Sequence, residues 1–180
     1  MMTVKKVIKE RRAYRAIKPF KVSEKLLSEL ATCASLAPSC YNKQPWRFVF
    51  VVNEDKLKEV FQALPRGNKW AEKSSLIVAV FTKKDLDCVL GNREYFLFDT
   101  GISTGFMILC ATELGYVAHP IAGFDEEKVK SVLKIPQDMI LIALIVIGAL
   151  DEDSEEFKKE LKRPERLSFS QFAWIDEVKT

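Results

Sequence analysis

The chain has 180 residues, of which 48% are hydrophobic and 29% charged, with a formal net charge of +3. That is enough for a single domain over residues 1–180, with a core that needs neither disulfides nor a structural metal. The small positive excess, with Lys and Arg spread beside Asp and Glu, argues against a nucleic-acid partner.

Residues 4–12 have the pattern of a short helix, and the charged opening lacks the apolar stretch of a secretory signal. Lys18-Pro19 ends it, because the residue before proline is pushed out of the helical region. Ser23 suits the N-cap of a helix in which Leu26, Leu27, Leu30, Ala31 and Ala34 share a face. Pro38 closes that helix. Residues 47–52 are β-branched and aromatic and predict a strand. Leu57, Val60, Phe61 and Leu64 then repeat at helical spacing, and residues 65–68 read as a turn. The apolar run 76–82 predicts a strand buried on both faces, and the polar stretch 83–92 predicts irregular chain.

Residues 95–114 are apolar nearly all round, with Gly115 placed to stop the helix. Such a helix must be covered on most sides. Asp99 and Glu113 argue against a membrane span there. Gly101 and Gly105, one turn apart, would admit a second backbone from this chain or from another subunit. Residues 116–121 read as extended. Asp125 caps the following helix, and Phe124 and Val129 have the spacing of a hydrophobic staple. Residues 139–150 predict the longest central strand, too short to cross a bilayer, and residues 155–161 a charged helix. The tail, residues 167–178, carries Phe169, Phe172, Trp174 and Ile175. Leaving such side chains in water forfeits roughly 1.5–3 kcal/mol each, so the tail is expected to dock on its own core or on another subunit. The alternation predicts a layered α+β or α/β domain; spacing alone does not choose between parallel and antiparallel pairing.

The cysteines, Cys33, Cys40, Cys88 and Cys110, form no C-x-x-C pair. They predict free thiols in a reducing, cytoplasmic setting. With His119 as the one histidine, no Cys/His metal cluster is expected. The motifs of serine hydrolases, P-loop enzymes, zinc proteases and dinucleotide-binding folds are missing. His119, between Ala118 and Pro120, reads as a satisfied structural residue. An enzyme built this way needs a bound cofactor to carry the reaction, and no catalytic side chain is expected.

Four local features bear on that cofactor. Arg11, Arg12 and Arg15 flank Ala13 and Tyr14, and their guanidiniums repel one another unless an anion or water shares them. Pro38, Ser39, Cys40, Asn42 and Gln44 precede Pro45-Trp46 in a loop with preset φ and polar donors. Ala122 and Gly123 precede a helix N-terminus and leave room for a planar ligand against the backbone. Lys162 and Arg163 form a second basic pair before Pro164. Each has a plain structural alternative: a solvated helix end, a turn, a strand-to-helix connection, a surface charge run.

In order, these features resemble the FMN-dependent nitroreductases over nearly the whole chain. The resemblance rests on the opening arginines, on Pro38-Ser39 followed by Asn42-x-Gln44-Pro45-Trp46, on Asp99-x-Gly101, on Gly123-Phe124-Asp125 and on Lys162-Arg163-Pro164. It implies an α+β fold, a mainly antiparallel sheet flanked by helices, in an intertwined homodimer whose C-terminal tail extends over the partner. It implies FMN at the subunit interface. Arg11, Arg12, Lys162 and Arg163 would serve its phosphate and ribityl region, with the backbone of Ala13, which stands where the family often has serine. Arg15 would face the N1–C2 carbonyl side of the flavin. Pro38, Ser39, Cys40 and Asn42 would come from the other subunit, with Cys40 replacing a common serine. Ala122 and Gly123 would offer a backbone N–H to flavin N5, and Asn68 would reach the pyrimidine edge. The implied reaction passes hydride from NADH or NADPH to a small electron acceptor by a ping-pong course through an open pocket. Dehalogenation, azoline oxidation, flavin breakdown and a non-catalytic flavin- or partner-binding role are the competing readings on the same fold.

Overall fold

The computed structural model describes residues 3–178. In chain order the elements are α1 (Val4–Glu10), β1 (Ile17–Lys18), α2 (Glu24–Ser35), β2 (Arg47–Val51), α3 (Glu54–Phe61), β3 (Leu76–Thr82), β4 (Val89–Leu90), β5 (Arg93–Glu94), α4 (Phe96–Glu113), β6 (Tyr116–Ile121), α5 (Glu126–Leu133), β7 (Ile140–Leu150) and α6 (Glu155–Glu160). Short 3-10 turns occupy Cys40–Asn42, Arg66–Lys73, Lys84–Leu86 and Phe169–Gln171.

The helices start where the caps dictate. The Ser23 hydroxyl accepts from the Leu26 N–H, and the Asp125 carboxylate accepts from the Lys128 N–H. Each such cap is worth about 1 kcal/mol, because it satisfies a donor that the first helical turn leaves unpaired. Gly115, at φ 84°, continues beyond α4 in a conformation that residues with a Cβ resist.

The eleven-residue β7 is the spine of the sheet. It pairs antiparallel with β3 and with β6, while β1 pairs its last residues and β2 forms the edge beyond β3. All of these pairings are antiparallel, which settles the direction that spacing left open. Every residue of β3 is buried. Alternate residues of β3 and β7 feed two cores. Ile77, Ala79, Phe81, Leu144 and Val146 pack with Leu57 and Val60 of α3 and Val129 of α5. Val78, Val80, Ile145 and Ile147 pack with Leu26 and Leu30 of α2 and Met107 and Ala111 of α4. The result is an α+β fold with helices on both faces of an antiparallel sheet. Gly148 lets β1 lie close: a Cβ there would meet Ile17 Cβ at 2.8 Å.

Two expectations need correction. The stretch 83–92 is not wholly irregular, because Gly91 at φ 65° turns β4 back onto β5. Cys40 and Cys88 are not free thiols; they form a disulfide, their Cα atoms 6.0 Å apart, while Cys33 and Cys110 remain free. Their separation of 48 residues carries no motif that spacing could reveal. The tail finds no cover on the core of its own chain, one of the two docking surfaces expected: Phe169 is 63% exposed and Ile175 72%. No described helix is long and apolar enough to cross a membrane.

Candidate functional site

The extended residues 11–16 close against the far end of the chain. The Arg12 guanidinium donates to the carbonyl oxygens of Leu161 at 3.0 Å and Lys162 at 3.2 Å, and to that of Glu160. These carbonyls are among those a helix C-terminus leaves without partners. The Glu160 carboxylate answers by accepting the backbone N–H of Arg15 at 3.0 Å and of Ala16 at 3.2 Å. Tyr14 packs between the Arg12 guanidinium, 4.7 Å from its ring centre, and the Phe157 ring at 5.6 Å. Arg163 donates to the Lys9 carbonyl.

The arrangement concentrates cations. Burial first, and then the guanidiniums of Arg166, Arg163 and Arg12, hold Arg11 below its ordinary pKa. Like charges gathered so closely favour a bound anion, and guanidinium forks suit phosphate oxygens. Lys162 enters this corner through its carbonyl, and its side chain is exposed.

A second group lies around the end of β6. His119 Nδ1 donates to the Tyr14 carbonyl oxygen at 3.1 Å, and its ring lies 4.6 Å from that of Trp70. Burial depresses its pKa, so the ring is neutral at neutral pH. It behaves as the structural residue expected. Beyond it Ala122 and Gly123 are exposed, and the Asn68 side-chain amide donates to the Gly123 carbonyl at 2.8 Å. A Cβ at Gly123 would stand 3.1 Å from that amide nitrogen. Asn68 and Gly123, 55 positions apart, are thus brought together. The Trp70 indole, packed against His119, keeps its Nε1 buried with no partner among the described residues.

The third group is the loop after α2. Tyr41, Asn42 and Gln44 all have left-handed φ, of 47°, 57° and 50°. Such backbone costs about 1–2 kcal/mol per residue with a Cβ and persists only when its surroundings hold it. The Asp99 carboxylate, 3% exposed inside α4, accepts the Cys40 N–H at 2.6 Å. Ser39 Oγ accepts the Gln44 N–H at 3.0 Å, and Arg47 donates to the Gln44 carbonyl at 3.0 Å. The disulfide to Cys88 completes the hold. Beside it the Asp87 carboxyl is pushed above its ordinary pKa, first by burial and then by the Asp99 charge. Pro38, Tyr41 and Asn42 are exposed.

Sequence reasoning missed Glu160, Asp87 and Trp70. Asp99 inside an otherwise apolar helix was the one local signal. Glu160 looks like any surface acid until α6 folds back on residues 11–16.

Residues 8–149 match the profile of the Nitroreductase family. The chain belongs to the nitroreductase family. A Thermus thermophilus relative named NADH dehydrogenase is 24% identical over 172 residues, covering 77% of this chain and 82% of its own. A crystal structure described as the oxidoreductase containing FMN superposes with a TM-score of 0.82 at 25% identity, covering 96% of this chain and 91% of that one. A nitroreductase family protein from Clostridium novyi gives a TM-score of 0.77 at 25% identity, covering 87% and 92%. The antiparallel sheet with helices on both faces is therefore the nitroreductase fold.

Proposed function

We propose that this protein is an FMN-dependent oxidoreductase that passes hydride from NADH or NADPH to a small electron acceptor such as a nitroaromatic or a quinone, acting as a homodimer in the cytoplasm. The observation that carries the reading is the cluster of Arg11, Arg12, Arg163 and Arg166, in which burial first, and then the neighbouring guanidiniums, hold Arg11 below its ordinary pKa. The residues fit the cofactor. The guanidinium cluster suits a phosphate, the side-chain-free backbone at Gly123 suits a planar ring, and Asn68 lies beside it. The FMN of the similar oxidoreductase and the nicotinamide dehydrogenase name of the Thermus relative support the same chemistry.

Bound FMN supplies a carrier for two electrons and a proton between nicotinamide and acceptor. Arg11 and Arg163 bind and neutralise the phosphate, with Lys162 and the Ala13 backbone nearby. Arg12 holds the segment through the carbonyls at the end of α6. Arg15 offers a fixed positive charge to the electron-rich edge of the ring, which favours electron uptake. Pro38, Ser39, Cys40 and Asn42 enclose the cofactor of the partner protomer. Ala122 and Gly123 present backbone without side chains. No protein group is needed as a dissociable acid or base; the protein contributes position and electrostatics.

The dimer is supported by what one chain leaves uncovered. On α4, Phe98 is 64% exposed, Leu97 and Phe106 are exposed, and a Cβ at Gly101 or Gly105 would meet nothing within 4 Å. With the tail, this is an apolar surface of the kind that monomers rarely present to water.

An anaerobic absorbance spectrum of the protein supplied with FMN tests the reading. A flavin band that elutes with a dimer and bleaches on adding NADH or NADPH is the expected outcome, with parallel steady-state lines at varied acceptor. A retained flavin that neither nucleotide bleaches would turn the assignment to a binding module, and a colourless protein would sink it.

A further inference from the structure

The 38–44 loop is held in a left-handed conformation by two kinds of tether. One is a hydrogen bond, from the Cys40 N–H to Asp99. The other is covalent, the bond from Cys40 to Cys88 at the mouth of the exposed β4–β5 hairpin. The cystine is the covalent tie between the loop and the chain that enters the hairpin. Of the two sulfurs, Cys40 belongs to a half-buried residue and Cys88 to a buried one, so an attacking thiolate reaches Cys40. The loop that this bond restrains is the one assigned above to the cofactor.

We propose that Cys40–Cys88 is a reducible cystine that takes two electrons from a dithiol reductant, and that its reduction releases the 38–44 loop and loosens its grip on the cofactor. The second half rests on the FMN reading of that loop. In the exchange one reductant thiolate attacks Cys40 Sγ, the Cys40–Cys88 bond breaks, and Cys88 leaves as a thiolate that takes a proton from water. The second reductant thiol then displaces Cys40. Two electrons and two protons end on Cys40 and Cys88 as thiols, and the reductant ends as a disulfide. A cystine in a reducing compartment is most often transient or redox-sensing, which fits a bond placed at a site and not within a core. Cys33 and Cys110 take no part. They lie against each other, and burial first, then Cys33, pushes the Cys110 thiol up to about 12.

The test uses the full chain, equilibrated with oxidised glutathione or reduced with dithiothreitol and desalted under nitrogen. Peptide mass spectrometry after denaturing alkylation should find a Cys40–Cys88 cross-link with Cys33 and Cys110 alkylated, and all four alkylated after reduction. Trypsin cleavage after Lys43, an exposed loop residue, reads loop release without any cofactor and should be about tenfold faster in the reduced protein. FMN affinity, read by quenching of its fluorescence, should be about five- to tenfold weaker after reduction, because the loop must then be ordered on binding. Cys88→Ser should match the reduced protein in both measurements whatever the reductant. Absence of the cross-link, or equal cleavage in the two states, overturns the proposal. Faster cleavage with equal FMN affinity overturns control of the cofactor. Faster cleavage with no FMN bound in either state leaves the switch standing and removes the FMN reading instead.

Discussion

The two halves of the candidate site are built on opposite principles. The arginine half, residues 11–16 with α6 and Arg163, gathers like charge and anchors it through backbone carbonyls and the Glu160 carboxylate. The loop half, residues 38–44, gathers strained backbone and anchors it to the Asp99 carboxylate and to a cystine. One half gathers electrostatic repulsion that a bound anion would relieve; the other holds conformational strain that the surrounding fold sustains. The first should therefore answer mainly to the ligand, and the second to changes in the fold around it.

The largest effect should come from removing guanidiniums. Arg11→Ala with Arg163→Ala should weaken FMN binding about 100-fold or more, from two charge-assisted contacts at about 1.5–3 kcal/mol each. Thermal melting of the cofactor-free protein should stay about level, because relief of mutual repulsion offsets the lost Arg163 bond to the Lys9 carbonyl. A drop in melting temperature equal to that of the FMN-bound form would show that the arginines serve the fold, and would break the contrast between the halves.

Asp99→Asn probes the loop half. It keeps an acceptor for the Cys40 N–H and loses the charge, so stability should fall by about 1 kcal/mol with or without FMN, read by urea unfolding. An effect confined to the FMN-bound protein would make the loop a ligand-dependent element like the arginines. The smallest expected effect is at His119. Its pKa is depressed on folding by burial, so its contribution to stability is present above the ordinary value of about 6.5 and fades as pH falls below it. His119→Asn should flatten that acid-side decline while leaving melting near pH 8 little changed. An unchanged slope between pH 8 and 5 would show that other groups set it.

Much of the scaffold is legible in the sequence. Ser23 and Asp125 announce their helices, the unbroken apolar run 76–82 reads as a central strand, and the apolar run 95–114 reads as one long helix. These are local signals, carried by spacing within one element. The cationic corner is legible as a set of arginines, but not the clasp that shapes it, because Glu160 and Arg15 meet across 145 positions. β1 is only two residues long and exists because β7 offers it an edge. The cystine escaped notice for the same reason. Contacts made by topology leave no periodicity behind, and a family resemblance supplies residue types without saying which carbonyl or carboxylate holds them.

The clasp between residues 11–16 and α6 also sets an order of events during synthesis. Arg11, Arg12 and Arg15 are made well before the groups that hold them, Phe157, Glu160 and the carbonyls that follow. β7, which unites the sheet, arrives only shortly before those groups. Residues 11–16 therefore wait, tethered to a growing and unfinished sheet, until α6 emerges to receive them. A nascent chain arrested before residue 160 has Arg11, Arg12 and Arg15 but neither the clasp that shapes the corner nor the Arg163 and Arg166 that complete it.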